Sequence, residues 1–138
     1  MTQNTLSADI NEILFGYYLG NGKWEIYGDQ VNDVKSQLAS RKKSITPDEF
    51  NDQSGRARAM AIMALAWAKA NGFPGAPTKV WWTARPGVLS AAFGKPVDSR
   101  KNPTDILAQF GDGKFLGFSA KSTKGQGDIG FKNPGAGT

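Results

Sequence analysis

The chain contains neither cysteine nor histidine among its 138 residues, and each absence excludes a class of chemistry. Zinc fingers, thiol catalysis and iron–sulfur clusters all need cysteine. A Ser-His-Asp triad needs histidine. Any bound metal would therefore be a hard cation held by oxygen, such as Mg²⁺, Mn²⁺ or Ca²⁺. A proton carrier in catalysis would have to be lysine, a carboxylate, tyrosine or water.

The sequence also lacks an apolar run of about 18 residues, the length that a membrane-spanning helix requires. Residues 1–9 are polar and do not have the basic-then-apolar layout of a secretory signal. With 39% hydrophobic and 21% charged residues, the composition is typical of a globular protein. We therefore expect a single domain in the cytoplasm, with no membrane partner.

The formal charge is +5, from 17 lysine and arginine residues against 12 acidic ones. Such an excess suits a polyanionic partner, because each neutralised phosphate releases condensed counterions. Charge alone does not separate nucleic-acid-binding proteins from other basic proteins.

The N-terminal segment has helical spacing of apolar residues from an N-cap at Ser7 to about Leu19. Glu12 lies inside this helix and shares a side with Phe15 and Leu19. Two alternatives remain for Glu12: an edge position that reaches solvent, or a carboxylate that points into a site.

The middle of the chain predicts a short strand over Lys23–Tyr27 and a helix over Val31–Leu38. The basic run that follows, residues 41–43, fits either a solvated surface or a phosphate contact. Thr46, Pro47 and Glu49 then form a helix start with a capping box, which gives Glu49 a structural role.

An alanine-rich helix is expected over Arg56–Asn71, after a break at Ser54-Gly55 and before Gly72. Its alanines would permit close packing against a sheet. Arg56 and Arg58 would lie in its first turn, where the helix dipole disfavours cations. The pair indicates either an anionic partner or a salt bridge to a nearby acid.

The C-terminal half predicts a strand over Lys79–Ala84, a polar loop carrying Arg100 and Lys101, and a β-hairpin. A two-residue turn in this hairpin would mix polar and apolar residues on both faces. A three-residue loop, Gly111–Gly113, would instead pair Ile106 with Phe118 and Asp105 with Ser119. We favour the second register because it segregates the faces and brings Asp105, Ser119 and Lys121 onto one of them.

The residues Pro103-Thr104-Asp105, followed on the next strand by Ser119-Ala120-Lys121, resemble the PD-(D/E)XK nuclease superfamily. The resemblance covers roughly residues 79–121, with Glu12 added if the first helix is included. It implies an α/β (α+β) fold with a restriction endonuclease-like core, in which helices pack on a small mixed sheet with a C-terminal β-hairpin. The family core continues beyond its lysine, so either the domain is minimal, or the chain is a piece of a longer protein, or another copy or a further polypeptide completes the sheet. We favour the last two of these alternatives.

The resemblance also implies a site. Asp105 would bind Mg²⁺ or Mn²⁺, Lys121 would position the attacking water, Glu12 would be a supporting ligand and the carbonyl of Ala120 would complete the coordination. Ser119 departs from the pattern, because it stands where the family has Asp or Glu. Glu12 or Asp128 would have to supply that charge. Structural roles remain open for two residues: Asp105 as a strand-start turn residue, and Lys121 as an edge-strand charge.

Three parts of the single domain are expected: a mainly helical part over 1–78, the strands that carry the site over 79–122, and a glycine-rich tail over 123–138. In the tail, backbone amides together with Lys124 and Lys132 would follow a phosphate backbone, or the segment would be flexible. The expected nucleic-acid contacts are therefore Lys124, Lys132, Arg56, Arg58, Arg100 and Lys101.

The favoured interpretation is a magnesium-dependent deoxyribonuclease, an endonuclease plausibly encoded by a phage and then located in the host cytoplasm or the virion. The alternative is a catalytically degenerate nuclease fold that binds nucleic acid or serves as a virion structural protein. A third reading is a protein-interaction module whose partner surface includes Trp24, Trp81 and Trp82, although such aromatic residues also suit a core.

Overall fold

The computed structural model describes residues 3–84, 104–123 and 126–132. It contains three α-helices in these ranges: α1 (Gln3–Leu19), α2 (Val31–Lys42) and α3 (Pro47–Ala70). A 3-10 helix, Trp24–Gln30, lies between α1 and α2. The strands are β1 (Lys79–Trp82), β2 (Ile106–Gln109), β3 (Phe115–Thr123) and β4 (Gln126–Lys132). None of the helices in the described ranges is long and apolar enough to cross a bilayer.

The four described strands form one sheet in the order β1-β2-β3-β4, so the fold is mixed α+β. Every pairing in this sheet is antiparallel. The expectation of a mixed sheet is therefore wrong for the described strands. Short connections explain the difference for β2–β3 and β3–β4, because a parallel pair needs a crossover of a dozen or more residues.

The hairpin of β2 and β3 has the register that the sequence predicts. Ile106 pairs with Phe118 and Ala108 with Leu116. The Lys114 carbonyl accepts a 2.9 Å hydrogen bond from the Phe110 N–H, which closes the loop Gly111–Gly113. The prediction of a three-residue loop is thus confirmed. The paired apolar side chains are buried, and Phe118 contacts Phe15 of α1 edge-to-face at 5.3 Å between ring centroids.

Helix α1 begins earlier than the sequence predicts. It starts at Gln3, so Ser7 is not an N-cap and instead donates a 2.9 Å hydrogen bond to Glu49 of α3. A polar contact between helices has therefore replaced the expected cap. The Thr46 cap of α3 is confirmed, since its hydroxyl accepts from the Glu49 N–H at 3.1 Å.

The prediction of a strand over Lys23–Tyr27 is wrong, because the 3-10 helix begins at Trp24. The neighbours Ile26 and Tyr27 are both buried, whereas successive residues of a strand point to opposite faces. The Tyr27 hydroxyl donates a 2.6 Å hydrogen bond to the carbonyl of Ile13. Gly16 makes room for that ring, since a Cβ there would meet the Tyr27 hydroxyl and lie 2.7 Å from Cζ.

Helix α3 runs unbroken through Ser54-Gly55, so the expected break is wrong. A lone glycine inside a helix costs about 1 kcal/mol, and burial along one face of α3 outweighs that penalty. This face packs chiefly against α1 rather than the sheet. The helix ends at Ala70, and Gly72 follows at φ +87°, as expected of a residue that terminates a helix. The buried residues of α3 are Gln53, Ala57, Met60, Ala61, Ala64 and Ala68.

The glycine-rich segment contributes β4, a strand that the sequence did not indicate. The polar loop with Arg100 and Lys101, and Lys124 in the tail, lie outside the described residues.

Candidate functional site

Glu12 lies on the side of α1 that faces the sheet, the side it shares with the buried Phe15 and Leu19. Its Oε1 accepts a 3.0 Å hydrogen bond from the indole Nε1–H of Trp82. Trp82 is 1% exposed, and it terminates β1. Of the two alternatives for Glu12, the observed one is a carboxylate directed inward.

Asp105 lies immediately before β2, and its backbone is held on both sides. Its N–H donates to the carbonyl of Phe118 at 2.9 Å, and its carbonyl accepts from the N–H of Thr83 at 3.1 Å. The Thr83 hydroxyl donates to the carbonyl of Thr104 as well. These bonds anchor Asp105 between β1 and β3, next to the Ile106–Phe118 pair at which the β2–β3 register ends.

The carboxylates of Glu12 and Asp105 interact electrostatically across the join between α1 and the sheet. Burial raises the pKa of Glu12 from its usual value of 4.5 to about 8, and the charge of Asp105 is the second cause. Asp9 raises this pKa further, whereas the Trp82 hydrogen bond and the Arg41 charge lower it. Two of the residues proposed from the sequence, 93 positions apart, therefore come close in space.

Arg41 and Asp9 complete the surroundings of this carboxylate pair. Arg41 Nε lies 2.8 Å from Asp9 Oδ2, and the two side chains are only 11% and 18% exposed. The guanidinium of Arg41 also lies 5.6 Å from the ring centroid of Trp82, within the range of a cation–π contact. Arg41 is thus paired within the protein and is not a freely solvated cation.

The sequence missed Arg41 and Trp82 as neighbours of Glu12. The spacing of Asp9 and Glu12 by three residues shows that they share a helix face, and this signal alone was open to sequence reasoning. Nothing in the sequence pattern links either residue to Arg41 or Trp82.

Gln30 holds Trp82 in place through its side-chain amide. Its Nε2 donates to the Trp82 carbonyl at 3.0 Å, and its Oε1 accepts from the Trp82 N–H at 2.8 Å. The indole that contacts Glu12 is therefore fixed at its backbone by two hydrogen bonds from outside the sheet.

The second half of the expected site lies along β3. Ser119, Ala120 and Lys121 are opposite Gly130, Ile129 and Asp128 of β4 respectively. Lys121 of β3 is thus paired in register with Asp128 of β4, the acid that could supply the charge which Ser119 lacks. Among residues 3–84, 104–123 and 126–132, no group of three or more acidic side chains is arranged to hold a metal ion.

Of the expected nucleic-acid contacts, Arg56, Arg58 and Lys132 lie in the described residues. Arg56 forms a 3.0 Å ion pair with Asp52, so a salt bridge is the observed alternative for this residue. Because α3 starts at Pro47, Arg56 and Arg58 lie well inside the helix, and the prediction that they occupy its first turn is wrong. Arg58 is exposed beside a groove between α1 and α3. Lys132 ends β4 opposite Gly117.

The tryptophans belong largely to the interior. Trp82 is buried, and Trp24 packs against the core with its ring 4.5 Å from that of Tyr17. Trp81 is partly exposed and lies 6.0 Å from the ring of Phe115. Trp82 and Trp24 therefore fit the core alternative rather than a partner surface.

No known protein family, characterised protein or solved structure matches this chain. The function is therefore argued from the geometry of Glu12, Asp105 and their neighbours.

Proposed function

We propose that the protein is a magnesium-dependent nuclease that hydrolyses phosphodiester bonds in DNA, with a restriction endonuclease-like core. The observation that carries the proposal is that Glu12 accepts a hydrogen bond from Trp82 while the next residue, Thr83, bonds to the carbonyl of Asp105. The charge of Asp105 also raises the pKa of Glu12. The hairpin register adds support, because it ends at the Ile106–Phe118 pair, next to Asp105 on one strand and Ser119 on the other.

The donor set suits a hard divalent cation. Mg²⁺ in proteins is commonly held by one or two carboxylates together with water. Asp105 and Glu12 would be those carboxylates, and the carbonyl of Ala120 on the neighbouring strand is a third oxygen donor. A cation there would neutralise charge at the phosphate and lower the pKa of an attacking water.

The chain's own residues have distinct roles in this proposal. Lys121 orients the attacking water, and its charge offsets that which develops on the phosphate oxygens. The water oxygen forms a bond to phosphorus while the bond from phosphorus to the leaving sugar oxygen breaks. The proton lost by the water passes to solvent, and solvent protonates the leaving oxygen. Asp128, the register partner of Lys121, replaces the acidic charge that Ser119 lacks.

A cleavage assay with Mg²⁺ or Mn²⁺ on linear, circular and branched DNA tests the proposal. We expect Asp105→Asn, Glu12→Gln and Lys121→Met each to reduce the rate by at least about a hundredfold, because each removes charge from the reacting centre. Glu25→Gln is the matched control, since Glu25 is an exposed glutamate outside the site. Full activity in Asp105→Asn and Lys121→Met would refute the assigned site.

Proton release provides a second test of the same pair. A cation that binds Glu12 must displace the proton which the raised pKa keeps on the carboxyl. Calorimetric titration with Mg²⁺ at pH 7 in two buffers of different ionisation enthalpy should therefore show proton release. Glu12→Gln should abolish that release, and release unchanged in this variant would contradict a role for Glu12.

The second candidate function is nucleic-acid binding without hydrolysis, in a nuclease fold that has lost its metal centre. Ser119 in the position of an acid favours it, as does the lack of a three-acid cluster in the described residues. DNA binding that weakens steeply with salt, with no cleavage by any divalent ion, would decide for this function over the first.

A further inference from the structure

The outward face of α3 is apolar where a solvated helix would be charged. The residues that α3 buries lie on one side, against α1. Apart from the exposed Arg58, the residues that the helix exposes on the opposite side, between its two charged ends, are small or hydrophobic. They are Gly55, Ala59, Ile62, Met63 and Ala66, and we call this surface the outer α3 face.

Two side chains on the outer α3 face are large. Ile62 is 61% exposed and Met63 is 52% exposed. Ile62 also lines a groove of about 340 Å³ between α1 and α3, whose other lining residues include Tyr18, Leu65 and Arg58. The face and the groove together form one continuous surface. A helix with apolar residues on both sides is usually buried on both.

The charges at the two ends of this face have opposite signs. Asp48 and Asp52 lie exposed in its first two turns, and Lys69 lies exposed in its last turn. A second α3 packed antiparallel would place each acidic end beside the basic end of its partner, whereas a parallel arrangement would bring like charges together. The helix dipoles favour the same orientation.

The sizes of the side chains are also self-complementary in that orientation. Suppose that the two helices cross at the point between Met60 and Ala61 of each copy. Ile62 of one helix then lies at the same height as Ala59 of the other, and Gly55 lies at the same height as Ala66. Ile62 therefore faces a small side chain, and the small residues at the Gly55 and Ala66 levels let two helix backbones approach closely. An antiparallel pair of this kind has twofold symmetry, so the outer α3 faces of both copies are buried in the same interface.

We infer that the outer α3 face binds a second copy of this chain, as an antiparallel α3–α3 homodimer. The inference does not rest on the proposed nuclease activity. A face along one helix of 24 residues is about 36 Å long, which gives less contact area than a standard protein interface. The dimer is accordingly weak, and it dissociates on dilution.

Sedimentation velocity of the full chain over a wide concentration range measures this equilibrium. We expect a monomer–dimer equilibrium, with Ala59→Lys raising the dissociation constant at least about tenfold by placing a charge at the centre of the interface. Ala39→Lys is the matched control, because Ala39 is an exposed alanine on α2, and it should leave the constant unchanged. A chain that stays monomeric at all concentrations, or a dimer indifferent to Ala59→Lys, would overturn the inference.

Zero-length carbodiimide cross-linking then tests the orientation. Along one α3, Lys69 and Asp52 are about 25 Å apart, so an amide bond between them can form only between two chains. We expect Lys69 to couple to Asp48 or Asp52 in the cross-linked dimer, and Lys69→Arg to remove that product while keeping the charge. A cross-linked dimer that joins other residues instead would exclude the antiparallel arrangement.

Discussion

The indole nitrogen of Trp82 donates a hydrogen bond to the carboxylate of Glu12, and this contact joins the end of β1 to the middle of α1. Glu12 is thereby held inside the protein next to the charge of Asp105, with Arg41 and Asp9 nearby. Hydrogen bonding and the Arg41 charge stabilise the ionised carboxylate, while burial and two acids oppose it. The balance leaves Glu12 largely protonated at neutral pH.

Stability should fall as the pH rises through the titration of Glu12. The pKa of Glu12 is about 8 in the folded protein against 4.5 for the usual glutamate, so the folded state binds this proton more tightly. The resulting stabilisation is fully present below pH 4.5 and is lost as the pH rises through 8. We expect the free energy of unfolding, measured in urea, to decrease by an amount on the order of a few kcal/mol across this window.

Replacing the titrating group checks the assignment of this pH dependence. Glu12→Gln should remove most of the slope between pH 4.5 and 8, because the amide does not ionise. Glu25→Gln should keep it, since Glu25 is exposed. A slope that persists in Glu12→Gln would show that another group is responsible.

Asp105→Asn should lower the pKa of Glu12, because it removes the second-largest cause of the raised value while burial remains. The pKa is measured from the pH dependence of the Glu12 side-chain carboxyl ¹³C shift. The expected value lies between 4.5 and 8. An unchanged titration would mean that the Asp105 carboxylate does not act on Glu12, and it would weaken the proposed metal site at the same time.

The same glycine-to-alanine substitution should have opposite effects at two positions around α3. Gly55 lies inside the helix with no atom within 4 Å of an added Cβ, so Gly55→Ala should stabilise the monomer by about 0.5–1 kcal/mol. Gly72 lies at φ +87°, where an L side chain is strained, so Gly72→Ala should destabilise. Thermal unfolding at low protein concentration distinguishes them, and shifts of the same sign would contradict the unbroken α3.

Gly16→Ala should destabilise the protein by about 1–3 kcal/mol, because the added Cβ would overlap the ring of Tyr27. Tyr27→Phe removes the hydroxyl nearest to that Cβ and should relieve part of the penalty. A double-mutant cycle on the free energy of unfolding measures this coupling. Additive effects of the two substitutions would show that the ring and α1 are not in close contact.

The β2–β3 hairpin was the most predictable part of the fold. A single loop, Gly111–Gly113, allows a register that pairs Ile106 with Phe118 and Ala108 with Leu116, so that one face of the hairpin is wholly apolar. Position along the chain was therefore enough to predict these two pairs. The helix boundaries that depend on local caps, at Thr46 and Gly72, were predictable for the same reason.

Elements decided by distant contacts were not predictable. The Ser54-Gly55 pair signals a break locally, but burial of Gln53 and Ala57 against α1 keeps α3 continuous. The Lys23–Tyr27 segment has strand-forming residues, yet both Ile26 and Tyr27 turn inward. Around the site, the contact of Trp82 with Glu12 spans 70 positions, and no pattern in the sequence encodes it.

The side chain of Gln30 imitates a strand. Its amide group offers Trp82 the donor and acceptor that a neighbouring peptide unit would offer, at the side of β1 away from β2. The conformation of the Gln30 side chain therefore determines whether the N–H and C=O of Trp82 are already hydrogen-bonded. Without the Gln30 side chain, the N–H and C=O of Trp82 would be unpaired at the outer edge of β1, where an extended segment of another chain would find a free donor and acceptor.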